Sequence, residues 1–225
     1  MKKSLLNPVF YERTKDGEVF YDIQSRLIKD RVIFLCEEVT HEVAGVISSL
    51  LFMMNNEDPN TKISIWLNTP GGDVYAFLAI YDMVQMIQAP VETVCIGMAM
   101  SAGAMLLAAG SKGQRLATPN SSIMIHQMQI DGIRGTGSEI KIIASEIDKK
   151  NKVVLGVLAR HTGKSLEEIV KDCEHDKYLS AKEALDYGII DKIIPAKKLD
   201  LLNTSEKSVK KSSTKKTASK KTVKK

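Results

Sequence analysis

The 225-residue chain is 44% apolar and 26% charged, an ordinary globular composition with enough apolar residues for one sizeable core. Its net charge of +5 is misplaced evidence for a nucleic-acid surface: nine lysines and one glutamate after Leu202 put +8 in the tail and leave the rest of the chain at −3. Cys36, Cys95 and Cys173 are odd in number, far apart and without histidines at ligand spacing, which argues against a disulfide framework and a zinc site. No run approaches the roughly 20 apolar residues of a membrane span. Leu5-Leu6 before Asn7-Pro8 is also too short for the apolar core of a signal peptide, so a cytoplasmic protein without membrane contact is expected.

In chain order, Arg13-Thr-Lys-Asp-Gly17 reads as an exposed turn between two aromatic-rich arms, either a loop or a hairpin. Arg31-Val-Ile-Phe-Leu-Cys36 has strand character, and from a cap at Thr40 the apolar residues recur at helical spacing over His41–Met54. Lys62–Asn68 alternates as a strand does, Thr69-Pro-Gly-Gly72 breaks it, and Val74–Gln88 is helical again. Val91–Ile96 predicts a strand, Ser101–Ala109 a buried helix, and Ser122–His126 another alternating strand. Gly132, Gly135 and Gly137 predict a mobile segment before a long helix from Ser138 to about His161. Ser165-Leu-Glu-Glu168 and Ser180-Ala-Lys-Glu183 both have the capping-box pattern, and Gly163 and Gly188 stand where helices should end. Repeated strand–helix units in one compact stretch give an α/β core. Asn203 to Lys225, almost wholly Ser, Thr and Lys, lacks the apolar surface to offset the entropy of ordering and is expected to be disordered. Such a tail attracts polyanions by releasing counterions, but with no aromatic residues for base stacking it gives no reason to expect a nucleic-acid partner.

Four positions carry possible chemistry. Ser101 stands between a strand and an apolar helix among small residues; alone it reads as a helix cap, but a hydroxyl beside free backbone N–H groups can also be a nucleophile next to an oxyanion site. The serine lacks the glycine two residues earlier that a lipase-type elbow requires, since that position is Ala99. His126, at the end of an alternating strand, is the candidate base, and Asp176 the group that would orient its imidazole. Gly72 is a turn glycine or a backbone donor to a carbonyl oxygen. His161-Thr-Gly-Lys-Ser165 ends like a phosphate-binding loop, but the first glycine of that motif would fall at Leu158, so no nucleotide site is expected.

Taken together, Tyr21-Asp-Ile-Gln-Ser-Arg-Leu27, Asn68-Thr-Pro-Gly-Gly72, Ala79-Ile-Tyr-Asp82, Gly97-Met-Ala-Met-Ser101, Pro119-Asn-Ser-Ser-Ile-Met-Ile-His-Gln127 and Leu179-Ser-Ala-Lys-Glu-Ala184 resemble the proteolytic subunits of Clp proteases (ClpP). The resemblance runs from about Pro8 to Pro195. It implies the crotonase-like α/β fold of repeated ββα units with a protruding handle helix, divided as an axial-loop segment (1–24), a peptidase domain (25–200) and the lysine-rich tail (203–225). It further implies a serine endopeptidase in which Ser101 attacks, His126 relays the proton, Asp176 holds the tautomer, and the N–H groups of Gly72 and Ala102 form the oxyanion hole. No metal or other cofactor is expected.

The partners implied are copies of the same chain in heptameric rings stacked as a tetradecamer, an AAA+ unfoldase of the ClpX or ClpA/ClpC type, and polypeptide substrates. Trp66 falls on the strand where the family docks its ATPase, although a packed core aromatic is an equal reading. Three departures stand out: Met128 follows the His-Gln pair where relatives carry Pro, Met100 and Ala102 exchange the usual neighbours of the serine, and Glu174-His175 replaces an acid-Arg pair at the ring contact. These departures and the odd tail keep open a weakly active ring subunit with a structural or regulatory role. An acyl-CoA-processing relative of the same fold gives no reason for Ser101, His126 and Asp176 to coincide.

Overall fold

The computed structural model describes residues 9–195 apart from 16, 130, 131 and 133, so the lysine-rich tail and the first eight residues lie outside the described residues. The two aromatic arms form a hairpin: β1 (Phe10–Thr14) and β2 (Gly17–Tyr21) pair antiparallel with Phe10 opposite Tyr21 and Thr14 opposite Gly17. Phe10, Tyr11 and Phe20 are exposed on it. A short helix unforeseen in the sequence, α1 (Ile23–Lys29), follows with the Asp22 carboxylate accepting the Ser25 N–H at 2.6 Å.

Then come β3 (Val32–Leu35), α2 (His41–Glu57), β4 (Ile63–Thr69), α3 (Val74–Met86), β5 (Val91–Met100) and α4 (Ala102–Ala108). After α4 the chain forms β6 (Arg115–Ala117), β7 (Ser122–Ile125), α5 (Gly137–Thr162), α6 (Leu166–Asp172), β8 (Lys177–Ser180), α7 (Ala181–Tyr187) and β9 (Lys192–Ile193). These elements belong to one unit that ends at Ile194.

The main sheet runs β3-β4-β5-β6-β9, with β7 attached to β5 and β8 to β7. Every pairing is parallel except β7 with β8. Helical connections between neighbouring parallel strands are what such a sheet requires, and they make a mixed α/β architecture of the kind the resemblance implies. β4 is central and largely buried on both faces, so the alternation seen in its sequence is misleading; its polar Ser64 is satisfied by donating to Glu92 at 2.9 Å and accepting from the Trp66 indole at 3.0 Å. Leu51, Leu67, Phe77, Ile80, Met105 and Leu155 are among the largest fully buried side chains.

Helix ends follow local rules closely. The Thr40 hydroxyl caps α2, the reciprocal Ser180–Glu183 box starts α7, and Gly163 and Gly188 end α5 and α7 with φ of 77° and 91°. The Ser165–Glu168 pair makes only half of its box: Ser165 accepts the Glu168 N–H, whereas the Glu168 carboxylate is turned to Lys164. The first turns of α5, Gly137 to Glu146, are exposed on every side, while Val154, Leu155, Val157 and Leu158 in its second half enter the core. The helix is thus a projecting arm. Among the described residues no helix is long and apolar enough to cross a membrane.

Candidate active site

The candidate site is built at the ends of three neighbouring strands. β5 pairs with β6 over Thr93–Cys95, bends at Gly97, and pairs with β7 over Met98–Met100. The bend needs glycine: φ is 76°, and a Cβ there would lie 2.7 Å from Asn68 Oδ1, which accepts the Met98 N–H at 3.2 Å. Beyond the bend Met100 faces Met124, and the Ser101 N–H donates to the Met124 carbonyl at 2.8 Å. β7 in turn faces β8 with Ile125 opposite Lys177. The next position along each of the three strands is Ser101, His126 and Asp176. The sheet register therefore gathers residues that are far apart in the sequence.

Ser101 does not cap α4. Its backbone sits at φ 53°, ψ −122°, its side chain makes no capping bond, and its Oγ lies 2.8 Å from His126 Nε2. A non-glycine residue in that conformation carries strain of roughly 1–3 kcal/mol, which the surrounding structure must hold. The chain thus makes a sharp strand-to-helix turn with the hydroxyl displayed, the geometry of a nucleophile elbow, without the lipase-type sequence. Small neighbours make the turn possible. A Cβ at Gly71 would lie 2.6 Å from the Met100 carbonyl and 2.8 Å from Ser101 Cβ, and one at Gly103 would lie 2.7 Å from the Thr69 methyl. The Ala104 and Met105 N–H groups both return to the Ser101 carbonyl, so Ala102 is in the first turn, where a helix has no acceptor to offer its N–H.

His126 is mostly buried, with 12% of its side chain exposed, and Asp176 is 44% exposed. Their closest approach, Nδ1 to Oδ1, is 3.6 Å, beyond a hydrogen bond, and Nδ1 has no partner. The serine–histidine contact is formed and the histidine–aspartate contact stands open by less than about 1 Å relative to an ordinary bond. Next to it, the Gln127 N–H donates to the Cys173 carbonyl at 2.8 Å and the Gln127 amide to the Glu174 carbonyl at 3.1 Å, tying the end of β7 to the loop before β8.

Gly72, at φ 154°, is bridged to Val39: the Val39 N–H donates to the Gly71 carbonyl at 2.8 Å and the Asp73 N–H to the Val39 carbonyl at 2.9 Å, with the Gly72 N–H taking no part. A Cβ at Gly72 would lie 2.4 Å from the Val39 carbonyl oxygen. Its neighbour Gly71 is the residue that presses on Ser101 and Ala102, a role the sequence signals only through the glycine doublet. Asn68 and Thr69, which shape the bend and the turn, carry no signal of their own.

Trp66 lies elsewhere on β4, half-buried and stacked on Phe34 with ring centroids 5.7 Å apart. The thiols offer no rival nucleophile in the core, since burial pushes Cys95 up to about 11 and Cys173 up to about 12. Among the described residues no group of three or more His, Cys, Asp and Glu side chains is placed to hold a metal ion. A family model described as Clp protease matches residues 15–197, a span that takes in the whole main sheet, the strained serine turn and the residues gathered around it. The chain belongs to the Clp protease family.

Proposed function

We propose that the chain is a serine endopeptidase subunit of a compartmentalised protease. The observation that carries this reading is the 2.8 Å contact between Ser101 Oγ and His126 Nε2 at a strained, displayed turn. In the proposed cycle His126 takes the Ser101 proton at Nε2 as the hydroxyl oxygen attacks a peptide carbonyl. The tetrahedral adduct collapses as the same proton passes to the leaving amine. Water, deprotonated by His126, then hydrolyses the acyl-enzyme and regenerates Ser101. Asp176, once it closes on Nδ1, holds that N–H and stabilises the imidazolium. The N–H groups of Gly72 and Ala102 would receive the oxyanion, a contribution on the order of 3 kcal/mol per donor.

Family membership supports a ring-forming oligomer that works with a Clp ATPase. The finer reading is a pair of heptameric rings, with polypeptides fed by an unfoldase of the ClpX or ClpA/ClpC type. Short fluorogenic peptides should then be cleaved slowly without ATP, and Ser101→Ala should abolish both cleavage and fluorophosphonate labelling. Wild-type peptidase activity in Ser101→Ala overturns the mechanism.

The unpartnered Nδ1 and the 3.6 Å gap to Asp176 favour a second reading, a weakly active ring subunit that regulates a partner subunit. Failure of the purified chain to label at Ser101 alone, with labelling restored by mixing with an active relative, selects that reading.

A further inference from the structure

One buried polar side chain joins three segments around the candidate oxyanion site. Thr69, the last residue of β4, has no exposed surface. Its hydroxyl donates to the Glu37 carbonyl at 2.6 Å, which commits the proton, and its oxygen accepts the Gly71 N–H at 3.1 Å. Its methyl faces α4, packed where any side chain at Gly103 would have to go. The loop between β3 and α2, the Gly71–Gly72 turn and the helix after Ser101 therefore all meet on this residue.

The consequence for Gly72 follows from peptide geometry. The Gly71 carbonyl and the Gly72 N–H belong to one planar unit, and in a trans peptide they point in opposite directions. The Gly71 carbonyl is held toward Val39, so the Gly72 N–H is turned away from the β3–α2 loop. Thr69 secures both sides of that arrangement: it holds the N–H of Gly71, and it anchors Glu37, two residues before Val39. Valine would fill the space but leave the buried Gly71 N–H without its acceptor and take the donor away from the Glu37 carbonyl.

We infer that Thr69 is a positioning residue for the oxyanion hole, aiming the Gly72 N–H through its hydroxyl; the inference rests on the serine-peptidase reading above and adds a residue to it. The test compares peptide hydrolysis by wild type, Thr69→Ser, Thr69→Cys and Thr69→Val. Serine and cysteine both lack the methyl and differ in hydrogen-bonding strength, which makes them the decisive pair. Thr69→Ser should keep kcat within about threefold, whereas Thr69→Cys and Thr69→Val should lower kcat on the order of ten- to a hundredfold with KM nearly unchanged. Affinity for a peptide aldehyde, whose adduct carries an oxyanion, should fall in parallel with kcat.

Equal losses in the serine and cysteine variants, or wild-type kcat in the cysteine variant, overturn the inference. A Thr69→Cys chain that does not fold when Thr69→Ser does makes the residue structural and also overturns it. Wild-type turnover no greater than that of Ser101→Ala is a different pattern, and it brings down the peptidase reading itself.

Discussion

His126 has one nitrogen engaged with Ser101 and the other buried without a partner, an arrangement that costs desolvation for as long as it persists. The nearest remedy is the half-exposed Asp176, so closing that gap is the step that would complete the proposed relay. Asp176→Asn should therefore lower kcat by about a thousandfold or more while leaving KM within a small factor, because an amide neither fixes the tautomer nor balances the imidazolium. Steady-state kinetics on a short peptide decides it, and a kcat within tenfold of wild type would show that Asp176 stays disengaged during turnover. None of Ser101, His126 and Asp176 is legible alone, since a cap, a structural histidine and a solvated loop acid are the ordinary explanations of each. What the sequence could not convey is the backbone of Ser101. Its positive φ arises from tertiary contacts with Gly71 and Met124, and no local pattern encodes those contacts.

At the level of elements, two polar clusters fasten the C-terminal part of the fold. Arg115, on β6, makes a two-pronged bond to Asp191 and donates to the His161 carbonyl at the end of α5, while Asp191 also accepts the Gly113 and Arg115 N–H groups. Asp191→Ala strands a guanidinium whose side chain is 8% exposed and should cost about 3 kcal/mol in urea unfolding. Asp172 accepts from Lys177 on β8 and Tyr187 on α7, closing the loop that carries Asp176.

Burial raises the Asp172 and Asp191 carboxyls, but hydrogen bonds from Lys177 and Tyr187 to the first, and from Arg115 to the second, outweigh it and hold both below the ordinary carboxylate range. A group depressed on folding stabilises the fold above its unfolded pKa and loses that contribution as pH falls through its folded one. Both contributions should thus be whole above about pH 4 and fade at lower pH. In thermal melts the destabilisation caused by Asp191→Ala should shrink as the solution is acidified, and a constant difference would refute the assignment.

Element boundaries are legible where a side chain or a glycine marks them, as at Thr40, Ser180, Gly163 and Gly188. The helix α1 escapes notice because its seven residues are too few to show a period and none of them is fully buried, and β6 and β9 are shorter still.

On the scale of the whole molecule, apolar surface concentrates on parts that project or face outward. Phe10, Tyr11 and Phe20 on the hairpin, Phe34 beside Trp66, and Ile140, Ile142 and Ile143 on the free half of α5 all stand exposed. Such surface is what an assembling subunit would cover. The sheet topology follows from the strand–helix repeat, but the oligomer does not. Exposed apolar residues in a sequence look the same as buried ones until the fold separates them.

The Gly97 bend lets β5 serve two partner strands, and the three candidate side chains hang from adjacent strand ends whose separation the hydrogen-bond ladder dictates. The hairpin and the projecting half of α5 take no part in that ladder. Changes on those projecting parts would therefore leave the spacing of Ser101, His126 and Asp176 untouched, because the sheet alone sets it.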